Sequence, residues 1–237
     1  MQLFYIPGLS GETAIMDPAE SHHCIKVLRK GRGEKISIVD GSGGFFDAII
    51  IDDNPKKCEV KILSEVRDYE KRDYHLHIAI AHTKSIDRFE WFLEKATEIG
   101  VDTITPLICQ RSERRRLRYD RLEGILVSAM KQSIKARKPV LNEMVTLEDF
   151  MNEAYDHENC YVAHLIDGLE RTGLLKAASN GSRYVVLIGP EGDFSPDEIA
   201  LALQRGFRPV TLGRSRLRTE TAGVVAAQII SDKVSLA

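Results

Sequence analysis

The 237-residue chain is poor in the features that mark specialised classes of protein. It has no run of 18 apolar residues, and its start, "MQLFYIPGLSG", shows no basic stretch followed by an apolar one, so neither a membrane span nor a secretory leader is expected. The expectation is a cytoplasmic protein. Its 4 cysteines, Cys24, Cys58, Cys109 and Cys160, form no C-x-x-C pair, which argues against a zinc ribbon and leaves reduced thiols as the expectation. "SHHC" (Ser21–Cys24) and "HLH" (His75–His77) lack a recognised ligand spacing, so no metal is expected. There is no G-x-G-x-x-G after an early strand and no G-x-x-x-x-G-K-[ST], which removes the common nicotinamide and P-loop readings.

What is present belongs to a globular chain: 43% hydrophobic and 29% charged residues, enough length for two domains, and a formal net charge of −2. The positive charge is clustered. "KVLRKGRGEK" (26–35), "RSERRRLR" (111–118), "KQSIKARK" (131–138) and "RSRLR" (214–218) stand out against the acidic balance. Each alone could be a solvated face; four together suit a polyanion such as RNA.

Texture changes near residue 70. Before it, "EKISIVD", "FFDAIIID" and "KCEVKILSEV" surround the turn "GSGG" (41–44), which predicts a small antiparallel β domain, with one helix over about Ala19–Arg29 closed by Gly31 and Gly33. "RDYEKRD" (67–73) is a charged linker. Beyond it strands alternate with helices. "HLHIAIA" is followed by a helix carrying Phe89, Phe92, Leu93, Ala96 and Ile99 on one side and ending at Gly100; a further helix is predicted over about Asp120–Ala136. Strands follow at "VDTITPLI", "CYVAHLI", "RYVVLIG" and "RPVTLG", a pattern that implies a parallel sheet with helices on both faces.

Two strand ends draw the eye. In "LIGPEGDFSPDEI" (187–199) a strand meets a Gly-Pro-Glu-Gly loop before a helix opened by the capping box Ser195-Pro196-Asp197-Glu198. In "LGRSRLRTETAGVVAAQII" (212–230) another glycine ends a strand before a helix from about Glu220. Loops at the carboxyl ends of parallel strands bind ligands, and glycine lets backbone amides approach a flat one. Ile188, Leu212 and Leu217 would supply an apolar slot.

These paired loops, with "KSIDRFEWFLEKATEIGVDTITPLICQRSERR" (84–115), "KQSIKARKPVL" and "HHCIKVLRKGRGEKISIVDGSG" (22–43), resemble the ribosomal RNA small subunit methyltransferase E family of the SPOUT class, almost end to end. The resemblance implies a PUA-like RNA-binding β-barrel over residues 1–70 and, over 74–237, a SPOUT-type α/β methyltransferase domain, a parallel sheet with a trefoil knot. It implies a homodimer, S-adenosylmethionine as cofactor, and methylation at N3 of a uridine in 16S ribosomal RNA of the small subunit. Cofactor contacts would fall on Leu165, Ile188, Gly189, Gly192, Leu212, Gly213, Leu217, Thr221 and Ala222, and RNA contacts on Arg29, Lys30, Arg32, Arg111, Arg114 and Arg115. Uridine N3 carries a proton, so the site needs a base, Glu191 or Glu220, or a cation such as Arg218 or Arg216 to hold the uridine anion. Two departures stand out: Asp193 replaces a second glycine, and Lys131 replaces a Glu before "QS". The competing readings are a SPOUT enzyme for another RNA nucleotide and a non-catalytic RNA-binding protein.

Overall fold

A computed structural model describes residues 1–112, 116–152, 159–166 and 168–235. The chain divides into two compact units, Met1–Arg72 with Leu126–Lys138, and Asp73–Ile125 with Pro139–Ala237.

The first unit is built on five strands, β1 (Leu3–Tyr5), β2 (Thr13–Ile15), β3 (Lys35–Val39), β4 (Phe45–Asp52) and β5 (Glu59–Val66), in the order β1-β3-β4-β5-β2. Alternation in β4 sends Phe46, Ala48 and Ile50 inward to meet Phe4, Ile38, Cys58 and Val60. The antiparallel expectation needs one correction: β1 runs parallel to β3, pairing Leu3 with Ser37 and Tyr5 with Val39. β1 and β2 are three residues each, too short for a period-2 signal to stand out. The expected helix over 19–29 is also shorter. α1 covers Pro18–His22, capped by Asp17 accepting from the Glu20 N–H at 2.8 Å, and then widens into a π-helical turn over His23–Val27. The helix ends not at the glycines but at Leu28, because Arg29 turns the chain through φ 55°.

All four cysteines are free and buried. Burial pushes the Cys24 thiol up to about 12 and raises Cys58 and Cys109, so these three are not poised as thiolates.

Two cations of the basic run 131–138 are paired with carboxylates of this unit. Lys131 pairs with Glu20, whose other oxygen accepts from the Tyr5 amide at 3.1 Å; Arg137 pairs with Asp68. The Lys138 amide donates to Gly41 O at 2.9 Å and the Gly43 amide to Ala136 O at 2.9 Å. Lys131, which departs from the family pattern, therefore acts within this unit, neutralising a carboxylate that holds β1.

The second unit carries an eight-stranded parallel sheet. Its strands are β6 (His75–Ala81), β7 (Thr103–Ile108), β8 (Val140–Leu141), β9 (Val145–Thr146), β10 (Cys160–Ala163), β11 (Thr172–Gly173), β12 (Arg183–Ile188) and β13 (Arg208–Thr211). They run β11-β13-β10-β12-β6-β7-β8, with β9 also on β7. The central strands are apolar on both faces, as a doubly covered sheet requires. The helices are α2 (Ile86–Ile99), α3 (Tyr119–Gln132, its second half grouped with the first unit), α4 (Leu147–Asn152), α5 (Leu174–Ala177), α6 (Pro196–Gln204) and α7 (Thr219–Ser235). α2 buries Phe89, Phe92, Leu93 and Ala96 as its spacing predicts, but Thr97 takes the core place expected of Ile99, bonding its hydroxyl to Leu93 O at 2.7 Å. Gly100 ends it at φ 106°. α3 stops at Gln132 rather than near Ala136, where Ile134 adopts φ 57°.

Polar groups inside this sheet are satisfied. His77 bonds Thr105 Oγ1 at 2.7 Å, and Asn142 Nδ2 donates to the same oxygen at 2.8 Å. The His77 ring meets Phe150 edge-on at 5.4 Å, so "HLH" is packing.

Candidate cofactor slot and RNA-facing residues

Three strands deliver their carboxyl ends to one place. β10 runs parallel to both β12 and β13, so the segments after Ala163, Ile188 and Thr211 emerge side by side. Between them, and against the start of α7, lies a cavity of about 300 Å³. Its apolar wall is Leu165, Ile188, Leu212, Leu217 and Ala222, and Gly189 and Gly213 border it. Arg216, Arg218, Glu191 and Asp193 supply its charge.

The β12–α6 loop is held by side chains. Ser195 and Glu198 form the capping box, the Ser195 amide donating to Glu198 Oε2 at 2.8 Å; a cap of this kind contributes about 1 kcal/mol. Glu198 Oε1 also accepts from the Gln110 amide at 2.7 Å. Thr219 Oγ1 donates to Gly189 O at 3.0 Å, which ties the loop to the first turn of α7. Glu191 Oε1 accepts from the Lys84 amide at 2.9 Å. Phe194 is buried under Gly189, where a Cβ would meet its ring at 3.0 Å. Gly189 therefore packs closely on Phe194, and a side chain there would need that ring and backbone to shift by a few tenths of an ångström. Gly213, at φ 143° with no atom within 4 Å of a built Cβ, is the glycine whose open side lies beside the cavity.

Of the residues expected to hold a cofactor, seven line the cavity: Leu165, Ile188, Gly189, Leu212, Gly213, Leu217 and Ala222. Gly192 and Thr221 do not. Gly192 is exposed, and its carbonyl accepts from Arg111 Nη1 at 2.6 Å. Of the candidates for proton handling, Glu191 and Arg218 line the cavity and Glu220 does not. The Glu220 carboxylate is buried, with Oε1 3.9 Å from Arg88 Nε and Oε2 lacking a partner among the described residues. Its place in the first turn of α7 points it toward α2, which linear spacing does not reveal.

His164 and Thr219 are additional lining residues that sequence reasoning passed over, and Asp193, noted there only as a departure, lines the cavity too. His164 Nδ1 accepts from the Ile166 amide at 3.2 Å; burial first, and then Arg171, lowers its pKa against the opposing pull of Asp193. With Nδ1 accepting a backbone N–H, the ring carries its proton on Nε2. Among the expected RNA contacts, Arg29 and Arg32 are exposed, whereas Lys30 pairs with Glu34 at 2.7 Å. Arg111 is committed to Gly192 O, and Arg114 and Arg115 lie outside the described residues.

The chain matches two family models: "RNA methyltransferase domain" over residues 70–231, which includes the strand ends around the cavity, and "RNA methyltransferase PUA domain" over 17–63. The chain belongs to the RNA methyltransferases with a PUA-like N-terminal domain. Within them it is a member of the ribosomal RNA small subunit methyltransferase E family. A relative of that name from Rickettsia conorii is 27% identical over 236 residues, covering 94% of this chain and 91% of the relative. A probable rRNA-methyltransferase from Porphyromonas gingivalis is 39% identical, with TM-score 0.93 over 100% of this chain and 99% of that one. The Neisseria gonorrhoeae enzyme, solved bound to S-adenosyl methionine, is 27% identical, with TM-score 0.87 over 99% and 98% of the two chains.

Proposed function

We propose that the chain transfers the methyl group of S-adenosylmethionine to N3 of a uridine in 16S ribosomal RNA of the small subunit, as a homodimer in the cytoplasm. The observation that carries this reading is the cavity at the ends of β10, β12 and β13. It combines an apolar wall with glycine-bordered backbone and two arginines, the donor set suited to an adenine, a ribose and a carboxylate on one ligand. Leu165, Ile188, Leu212 and Leu217 would sandwich the base, and Gly213 would let the chain approach it closely.

When bound, the cofactor supplies an electrophilic methyl on a sulfonium sulfur. The protein's task is to align N3 with that methyl and to deal with the N3 proton. Glu191 is the better placed base: its Oε1 is held by the Lys84 amide, which orients the carboxylate and leaves Oε2 to accept the proton. Arg218, exposed at the cavity, would stabilise the charge that spreads to O2 and O4 as N3 loses its proton. The N3 edge is the pairing edge, so the uridine must be unpaired when it enters. Arg29 and Arg32 would bind phosphates in the N-terminal unit, without reading sequence.

The test is nucleoside mass spectrometry of small-subunit RNA incubated with the protein and methyl-labelled cofactor. Label in 3-methyluridine supports the proposal. Label in another nucleoside would move the chain to a different RNA specificity, and no label despite cofactor binding would leave an RNA-binding protein.

A further inference from the structure

We propose that Asp193 is a positioning residue for the cofactor, stapling the β12–α6 loop to the end of β10 so that the slot stands formed before a ligand enters. This rests on reading the cavity as the cofactor slot.

The segment 164–166 lies beyond the last paired residue of β10 and has no sheet partner to fix it. Side chains hold it instead. Arg171 Nη1 donates to His164 O at 2.6 Å, and the Ile166 amide donates to His164 Nδ1 at 3.2 Å. Both bonds are local to the segment. The Leu165 amide is different, because it donates to Asp193 Oδ2 at 2.7 Å, across the mouth of the slot. Oδ1 of the same carboxylate accepts from the Phe194 amide at 2.8 Å, and the Asp193 amide donates to Pro190 O at 2.9 Å. One side chain therefore joins the wall at Leu165 to the loop that Phe194 roots in the core.

The backbone carries the mark of this arrangement. Asp193 sits at φ 63°, a conformation glycine adopts freely and other residues adopt at a cost, in the place where the family pattern has glycine. Strain of this kind persists where surrounding bonds over-determine it. Both oxygens accept from backbone amides, so the position needs two acceptors. Asparagine offers one oxygen and one NH₂, and its NH₂ would face an N–H; glycine offers neither acceptor but relaxes the backbone. Charge-assisted bonds at these distances are stronger than neutral ones, which makes the staple a preorganising element.

The experiment compares full-length wild type, Asp193→Gly, Asp193→Asn and Ala222→Phe, the last filling the slot from α7. Calorimetry with S-adenosylmethionine, turnover at saturating cofactor, thermal unfolding without ligand, and the amide resonance of Leu165 are measured. The proposal expects the Leu165 amide proton to move upfield in both Asp193 variants. In Asp193→Gly it expects cofactor affinity to drop about tenfold, the loss when only a tenth of molecules are binding-competent, with turnover at saturation and unfolding temperature close to wild type. Affinity within twofold of wild type in Asp193→Gly, or an unmoved Leu165 resonance, overturns it. A parallel fall in unfolding temperature and affinity also overturns it, because the role would then be support of the fold. Ala222→Phe separates the two readings: undiminished binding there refutes the slot itself, while lost binding there beside normal binding in Asp193→Gly refutes only the staple.

Discussion

Arg218 and His77 show how much a single residue's environment decides. Arg218 is exposed at the cavity, and its carbonyl accepts from the Ala222 amide at 2.7 Å at the start of α7, which fixes the backbone at the cavity edge. If it stabilises the uridine anion, lysine in its place loses the forked geometry. Arg218→Lys should then bind S-adenosylmethionine almost normally, with a single-turnover rate lower by about a hundredfold. A matched fall of affinity and rate would make it a cofactor anchor instead. His77 concerns stability. Burial, and secondarily His75, pushes its pKa from 6.5 down to about 4. Between those two values the unfolded chain binds a proton that the folded chain does not, so stability falls as pH drops from 6.5 toward 4 and is flat above 6.5. The loss is on the order of 3 kcal/mol by pH 4. Urea unfolding across that range should show this slope in wild type and a shallower one in His77→Gln, whose amide can still hydrogen-bond Thr105 but does not titrate.

Among elements, α7 carries the most. Its inner face, Gly223, Ala226, Ala227 and Ile230, is buried, and the helix packs on α2, β6 and α5. A Cβ on Gly223 would lie 2.6 Å from Phe92 Cε2 and 2.9 Å from Ile80 Cδ1. Glycine in a helix interior costs about 1 kcal/mol against alanine, so close approach to α2 outweighs propensity here. Gly223→Val should destabilise by about 2 kcal/mol, read as a lower denaturation midpoint at unchanged m-value. Because the same helix starts at Thr219, which holds Gly189 O, cofactor affinity should fall with it. The β12–α6 connection makes the complementary point: its capping box and strand were legible in "LIGPEGDFSPDEI", whereas the contacts from Lys84, Arg111 and Thr219 that hold its loop come from residues 107, 81 and 30 positions away.

For the whole molecule, the outer stripe of α7 sets the expectation for assembly. Val224, Val225 and Ile229 stay only half-buried in a single chain. Small and apolar residues left on the outward side of a helix suit an isologous interface. Light scattering at micromolar concentration should report twice the 26.6 kDa of one chain. A monomer would remove the dimer from the proposed function. Among the described residues no helix is long and apolar enough to cross a membrane.

Periodicity and turn chemistry are local, and what depends on them was readable in the chain itself: the change of texture near residue 70, the parallel α/β pattern, the Gly100 stop, the Ser195 cap, and the two glycine-bearing strand ends with seven of the residues that line the cavity. Partnership is not local, and tertiary structure alone decided it. A three-residue strand such as β1 has no period to detect, so its parallel pairing with β3 came from the fold. The carboxylates Glu191 and Glu220 look equivalent as letters, yet packing turned one into the cavity and the other toward Arg88. Lys131, Arg111 and Asp193 were read as basic footprint or unexplained departure. Their partners, the Glu20 carboxylate, the Gly192 carbonyl and the Leu165 amide, lie 111, 81 and 28 residues away, a separation at which only chain folding determines which groups meet.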